Sequence, residues 1–283
     1  MSLIGSADPF WGAATANSNF CELDYAITRY VAEFINTLTN LVYIIYAIRG
    51  LRNLYKKPEV DTLRTLPYWG LMAVGLCSGA FHMSLKYHTQ MMDDLAMHFA
   101  TTPVLHRVLT INSTRRTSII SAWILACALA ALLTFHMVTD ELILHSVCFG
   151  VMVTVIGART MQLVKQRTAP ASDSEARRTI WGVVRFAAFI FNLGFYLWIL
   201  DQWACKPLQN ARSILGLPLG FVLELHGWWH IFTAIGAYLF IAVVDHLVSG
   251  EDHRELDDIA WPASWAARSV FAGRGEEKNN KEE

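Results

Sequence analysis

Residues 221–248 read FVLELHGWWHIFTAIGAYLFIAVVDHLV, a run with no lysine or arginine and with Glu224 and Asp245 as its only formal charges. A helix needs about 20 mostly apolar residues to cross the hydrocarbon of a bilayer, and this run exceeds that. Within it His226 and His230 stand four apart, so both project from one helical face. A greasy helix that nevertheless carries two imidazoles on one side has something polar to face.

Working outward, comparable runs occupy 30–51, 66–85, 92–109, 119–138, 142–163 and 180–204. The run at 92–109 is the most polar, interrupted by Asp93, Asp94, His98, His106 and Arg107. Ionisable groups at membrane depth are costly and turn toward the bundle interior, so this polarity reads as lining. The expected fold is therefore an all-α membrane protein, a bundle of seven transmembrane helices spanning 30–248. Composition agrees: of 283 residues 54% are hydrophobic and 17% charged, against about 25% charged in soluble globular chains, and mean hydropathy is positive. A formal net charge of −1 gives no electrostatic reason to expect nucleic acid as a partner.

Lysine and arginine orient the bundle. Eighteen fall in the first, third and fifth linkers and the tail, while the other side holds only Arg29, Lys86, Lys206 and Arg212, with Arg185 inside the sixth span. The positive-inside rule then places the N-terminus in the lumen and the C-terminus in the cytosol. This divides the chain into a lumenal segment 1–29, the membrane domain 30–248 and a cytosolic tail 249–283. The linker 168–175 (TAPASDSE) and the tail from Gly250 read as solvated and flexible, with no structure expected over 273–283. The first thirty residues hold Asp8, Glu22 and Asp24 and no apolar run after a basic start. A cleavable signal peptide is not expected, and the first span directs insertion. Cys21 precedes the first span and Cys205 follows the sixth, which puts both thiols on the oxidising face. A bridge between them is the one lumenal pairing available; two separate free thiols are the alternative. Cys77, Cys127 and Cys148 lie within spans.

His82 sits near the lumenal end of the second span, at a depth matching His226 and His230. Three neutral imidazoles with an open fourth position form a catalytic zinc set. Ser78 lies one helical turn before His82 on the same face, and Asp93 opens the third span at the same end. A zinc hydrolase needs a carboxylate to take a proton from water and a donor for the oxyanion, parts that Asp93 and Ser78 could fill. The bland readings are a serine bonded back to its own helix and an acid favouring a helix start. Asp94 is the better candidate for that second role, though spacing alone leaves the two aspartates exchangeable. Ahead of the first span, Asn19, Glu22, Asp24 and Glu33 gather hard oxygen ligands suited to calcium, against the commoner reading of a solvated acidic loop.

On these residues the chain resembles the alkaline ceramidase family, over nearly the whole membrane region. The matching pieces are 19–40 (NFCELDYAITRYVAEFINTLTN), 78–93 (SGAFHMSLKYHTQMMD) and 226–238 (HGWWHIFTAIGAY). It is similar, more distantly, to a seven-helix superfamily that includes the adiponectin and progestin receptor type. The resemblance implies zinc on His82, His226 and His230, with Ser78 and Asp93 catalytic. It also implies calcium on Asn19, the carbonyl of Phe20, Glu22, Asp24 and Glu33, and it supports the Cys21–Cys205 bridge. Asn19 stands where some members carry an acid, which removes one negative charge from the calcium site. The implied reaction is hydrolysis of the ceramide amide to a sphingoid base and a fatty acid, in the endoplasmic reticulum or Golgi, with no obligate protein partner. A receptor of the related superfamily is the alternative. A transporter is disfavoured, since neither an inverted repeat nor paired broken helices can be read from the chain.

Overall fold

The structure, a computed structural model, describes residues 8–57, 60–168, 174–249, 261 and 264–271. The expectations for the linker over 169–173, for most of the tail and for 273–283 lie outside these residues. The described part is helical: α1 Phe34–Thr39, α2 Leu41–Tyr55, α3 Thr62–Ser84, α4 Tyr87–Thr110, α5 Arg115–Thr139, α6 Ile143–Thr168, α7 Ser174–Trp203, α8 Cys205–Leu215, α9 Leu225–Ser249 and α10 Ser264–Ser269. A 3₁₀ turn, Leu219–Leu223, leads into α9.

Five helical stretches are long and apolar enough to cross a membrane: Phe34–Tyr55, Arg115–Thr139, Ile143–Arg167, Arg177–Trp203 and Leu225–Ser249. These are the helices of an integral membrane protein. With 23 and 24 residues, α3 and α4 have the length, about 35 Å at 1.5 Å per residue. They lack the apolarity because glycine, serine and histidine on α3, and Gln90, Asp93, Asp94 and His98 on α4, replace aliphatic side chains. Several boundaries also move. The first helix begins at Phe34, leaving residues 30–33 to a non-helical lead-in. Because α4 starts at Tyr87, Asp93 lies in its second turn and does not start the helix. That placement removes the helix-start reading for Asp93.

The central helix is α9. Two-thirds of its most apolar window is buried (67%), whereas for α5 the share is 6%. Around α9 the core gathers Tyr46, Tyr68, Leu71, Val183, Ala187, Tyr238 and Val243. Two glycines allow the closest approaches. A Cβ on Gly236 would stand 2.9 Å from the Cβ of Phe191 on α7, and one on Gly70 would stand 2.5 Å from the Cα of Ala100 on α4. Small residues at such crossings let helices approach where lipid supplies no hydrophobic drive between them.

The two ends of the bundle differ. At one end Asp245 of α9, almost wholly buried, receives Arg64 at 3.0 and 2.7 Å and Arg107 at 3.0 Å, with Lys57 at 3.8 Å. At the other, the segment before α1 folds across the C-terminus of α3. Its amides donate to the carbonyls that a helix end leaves unpaired: Glu33 N–H to His82, Ala32 N–H to Met83, and Thr15 and Ala16 N–H to Leu85. Leu85 closes α3 in the left-handed region, at φ 51°. A Cys21–Cys205 disulfide, with Cα atoms 5.2 Å apart, fastens the same segment to the start of α8. One part of the tail is not solvated: α10 packs on α7, with Ala267 buried and the Phe271 ring 5.6 Å from that of Phe186.

Candidate functional site

Beneath the N-terminal segment, α3 supplies His82 and the first two turns of α9 supply His226 and His230, all three almost wholly buried. Their ring centroids lie 4.5 to 5.0 Å apart. Among the described residues they are the group of histidine, cysteine and acidic side chains whose ligand atoms all fall within 4.8 Å of one another.

Their hydrogen bonds fix which nitrogens remain. His82 donates from Nδ1 to Oε2 of Glu33 at 2.5 Å, leaving Nε2 for another partner. The Thr39 hydroxyl already donates to the Ile35 carbonyl, so it accepts from Nδ1 of His230 at 2.9 Å. That again leaves Nε2. Nδ1 of His226 is buried without a partner. Metal-ligating histidines are usually oriented in this way, by handing the second N–H to a carboxylate or an oxygen acceptor. Three imidazoles with converging lone pairs and one orphaned buried nitrogen fit a divalent ion such as zinc.

Ser78, one turn before His82, is buried, and the Asp93 carboxylate reaches toward it from α4, near enough for the hydroxyl to steady its charge. Tyr43, whose ring lies 6.5 Å from that of His230, is close enough to feel the Asp93 charge. The two exchangeable aspartates thus part company: Asp93 meets Ser78, while Asp94 turns to His136 on α5 and His145 on α6.

The acidic loop is drawn in against the same site. Glu22 accepts from the amides of Ile35 and Asn36, at 2.7 and 2.8 Å, at the start of α1. Oε1 of Glu33 accepts from the Phe20 amide at 3.3 Å, and Asn19 Nδ2 donates to Asp24 at 3.5 Å. Burial pushes the Glu22 carboxyl up to about 7, with the nearby Glu33 charge adding to it. Burial also raises Asp24, again helped by Glu33. Glu22 and Glu33 are buried, whereas Asp24 is exposed. Phe20, singled out for its carbonyl, also stacks its ring on His226 with centroids 3.7 Å apart.

Three positioning residues were not legible beforehand. Asp201 of α7, wholly buried, accepts from the Cys21 amide at 3.1 Å and the His226 amide at 3.3 Å, tying the loop to α9. It is an acid inside an apolar span, and that is the signal that could have found it. Asn36 donates to Glu33 at 2.9 Å, and Thr39 holds His230; both look in the sequence like ordinary polar residues of a first turn. Alongside the site, a groove between α1 and the start of α9 is lined mainly by apolar residues, Ile35, Val222, Gly227, Trp228 and Ile231 among them, with Thr39 and Glu224 also in its wall.

Fold and site together define a helical integral membrane protein with a buried centre suited to a metal, flanked by a serine and a carboxylate. The family model described as Ceramidase matches residues 12–271. Alkaline ceramidase YPC1 of Saccharomyces cerevisiae is 32% identical over 250 residues, covering 84% of this chain and 78% of the relative. Alkaline ceramidase 3 of Mus musculus is 32% identical over 238 residues, covering 82% and 84%. An alkaline ceramidase of Arabidopsis thaliana is 21% identical over 229 residues, covering 81% and 82%. The chain belongs to the ceramidase family.

Proposed function

We propose that this chain hydrolyses ceramide to a sphingoid base and a free fatty acid in a zinc-dependent reaction within the membrane. The observation that carries the reading is the buried His82–His226–His230 triad beside the Ser78–Asp93 pair, in a member of the ceramidase family. The receptor alternative loses its support, since the matching model and the relatives above are described as ceramidases.

The triad would hold the zinc ion, Glu33 and Thr39 fixing two of its rings from behind. A bound zinc supplies Lewis acidity, which polarises a carbonyl and makes water acidic near neutral pH. The remaining parts fall to side chains. Asp93 takes the proton of the attacking water and returns it to the departing amine, as a general base and then a general acid. Ser78, beside Asp93, donates to the oxygen on which charge develops. The groove between α1 and α9 is mostly apolar and runs beside Thr39 and Gly227, the neighbour of His226, which suits a hydrocarbon chain next to the reacting amide. Glu22, Asp24, Glu33, Asn19 and the Phe20 carbonyl form a regulatory or structural calcium site that pins the loop. All seven membrane-length segments span, α3 and α4 with their polar sides turned inward, and the endoplasmic reticulum or Golgi is the proposed residence.

The test is release of fatty acid from labelled ceramides by purified protein in detergent, using a panel that varies the sphingoid base and acyl length. Turnover of at least one ceramide, lost in Asp93→Asn, is expected. A folded, metal-loaded protein that turns over none of them overturns the assignment.

A further inference from the structure

A second polar cluster lies in the bundle away from the triad. Asp94 and His98, one turn apart on α4, meet His136 at the end of α5 and His145 at the start of α6. All three imidazoles are nearly or wholly buried. The His136–His145 and His98–His145 ring centroids are 4.7 and 4.8 Å apart, within the range of the first triad.

The hydrogen bonds leave this cluster one cation short. His98 Nδ1 faces the Asp94 carbonyl at 3.2 Å, and His136 Nδ1 faces the Glu141 carbonyl at 2.7 Å. A carbonyl only accepts, so in both rings Nδ1 carries the hydrogen and a neutral ring presents Nε2 as a bare lone pair. Nε2 of His136 points at Oδ2 of Asp94, 3.1 Å away, so two acceptors face each other. Nε2 of His98 is buried without any partner. His145 brings Nε2 to 3.4 Å from Oδ1 of Asp94 and keeps Nδ1 buried and unpartnered. The other polar groups at the cluster are Gln90, which donates to Asp94 and Asp140, and Glu141, whose carboxylate lies 3.9 Å from His136. A proton on His136 would mend only its contact with Asp94. It would leave the buried nitrogens of His98 and His145 unpaired, and such groups are costly to leave so.

We propose that Asp94, His98, His136 and His145 form a second, structural zinc site that clamps α4, α5 and α6 together. Two of the three rings already donate their second N–H to a backbone carbonyl, the arrangement that orients metal-bound histidine. Four protein ligands close the coordination shell, as in structural zinc sites, whereas the first triad leaves a position open. Their ligand atoms do not all fall within the 4.8 Å that gathers the triad, so binding requires these side chains to draw in around the ion. The clamp also answers a need of the fold. With only 6% of its apolar window buried, α5 has little packing to hold it. Its remaining ties include Tyr87 to the Met137 carbonyl and Asn17 to that of Asp140.

The experiment is a Zn²⁺ titration of the full chain after chelator stripping, comparing the parent with His98→Gln/His145→Gln. The second site predicts two equivalents in the parent and one in the variant. One equivalent in both overturns it, the cluster then being a hydrogen-bonded ion pair only. One in the parent and none in the variant keeps this site and removes zinc from the first triad, so the two readings fail separately; none in either overturns both. Thermal melting with and without Zn²⁺ guards against a variant that does not fold. The parent should gain a larger rise in Tm than the variant, and equal metal-free melting of the two shows that the loss is of ligands and not of fold. If the variant does not fold, the parent alone decides through X-ray absorption at the zinc edge: histidine ligands with carboxylate oxygen at two equivalents support the site, and a single equivalent with histidine only overturns it.

Discussion

Glu33 joins the acidic loop to the histidine triad. One carboxylate oxygen accepts from His82 and from Asn36, and the other from the Phe20 amide. Replacing it with glutamine keeps the shape and removes the charge that orients the ring. Loss of such an outer partner typically costs about 10- to 100-fold in metal affinity or activity. Glu33→Gln is therefore expected to weaken zinc binding and slow fatty-acid release by that order, as read by metal titration and a product assay. In the loop, Asn19 brings no charge to the proposed calcium ligands, so Asn19→Asp should lower the calcium concentration giving half-maximal activation. A calcium titration of the two proteins checks this, and coincident curves would reduce the loop to an acidic surface. How much of this was legible varies by residue. His226 and His230 could be read directly because a four-residue spacing fixes a shared face. The pairing of Glu33 with His82, 49 positions apart, depends on how the loop folds over α3, which no local pattern encodes.

At the scale of elements, the packing of α9 on α7 and the stapled N-terminal segment carry most of the architecture. At Gly236 a methyl group would meet the Phe191 Cβ at 2.9 Å and the Ala187 carbonyl at 3.1 Å, both anchored close to the α7 backbone. Gly236→Ala should cost about 1–3 kcal/mol through overpacking, visible as a lower Tm with unchanged zinc stoichiometry. Cys21→Ser removes a link across 184 residues. The expected loss is about 2–4 kcal/mol, and it should fall first on the segment over α3, as faster hydrogen exchange at Ala32 and Glu33. The spans that became α5, α6, α7 and α9 could be read because their few polar residues leave the apolar run long enough to stand out. Those that became α3 and α4 were harder, since the residues that build the site are what dilute their hydropathy. The docking of α10 on α7 was missed because a six-residue helix rich in alanine and serine gives no periodic signal long enough to read.

For the whole molecule, the asymmetry of charge predicts the orientation. Asp245, with Arg64, Arg107 and Lys57 around it, marks the end of the bundle opposite the disulfide, and the positive-inside rule assigns that end to the cytosol. A glycosylation acceptor placed before Phe10 should be modified in microsomes and one placed after Phe271 should not; the reverse pattern would invert the topology. Zinc on His82, His226 and His230 is proposed to make this bundle an amidase. The most direct test measures zinc content and ceramide turnover on the same preparations of the parent and of His226→Ala. The variant should carry one zinc fewer per chain and release no fatty acid, and chelation should silence the parent until Zn²⁺ is restored. A His226→Ala protein with the parent's full zinc content, or one that hydrolyses ceramide at the parent's rate, would contradict it.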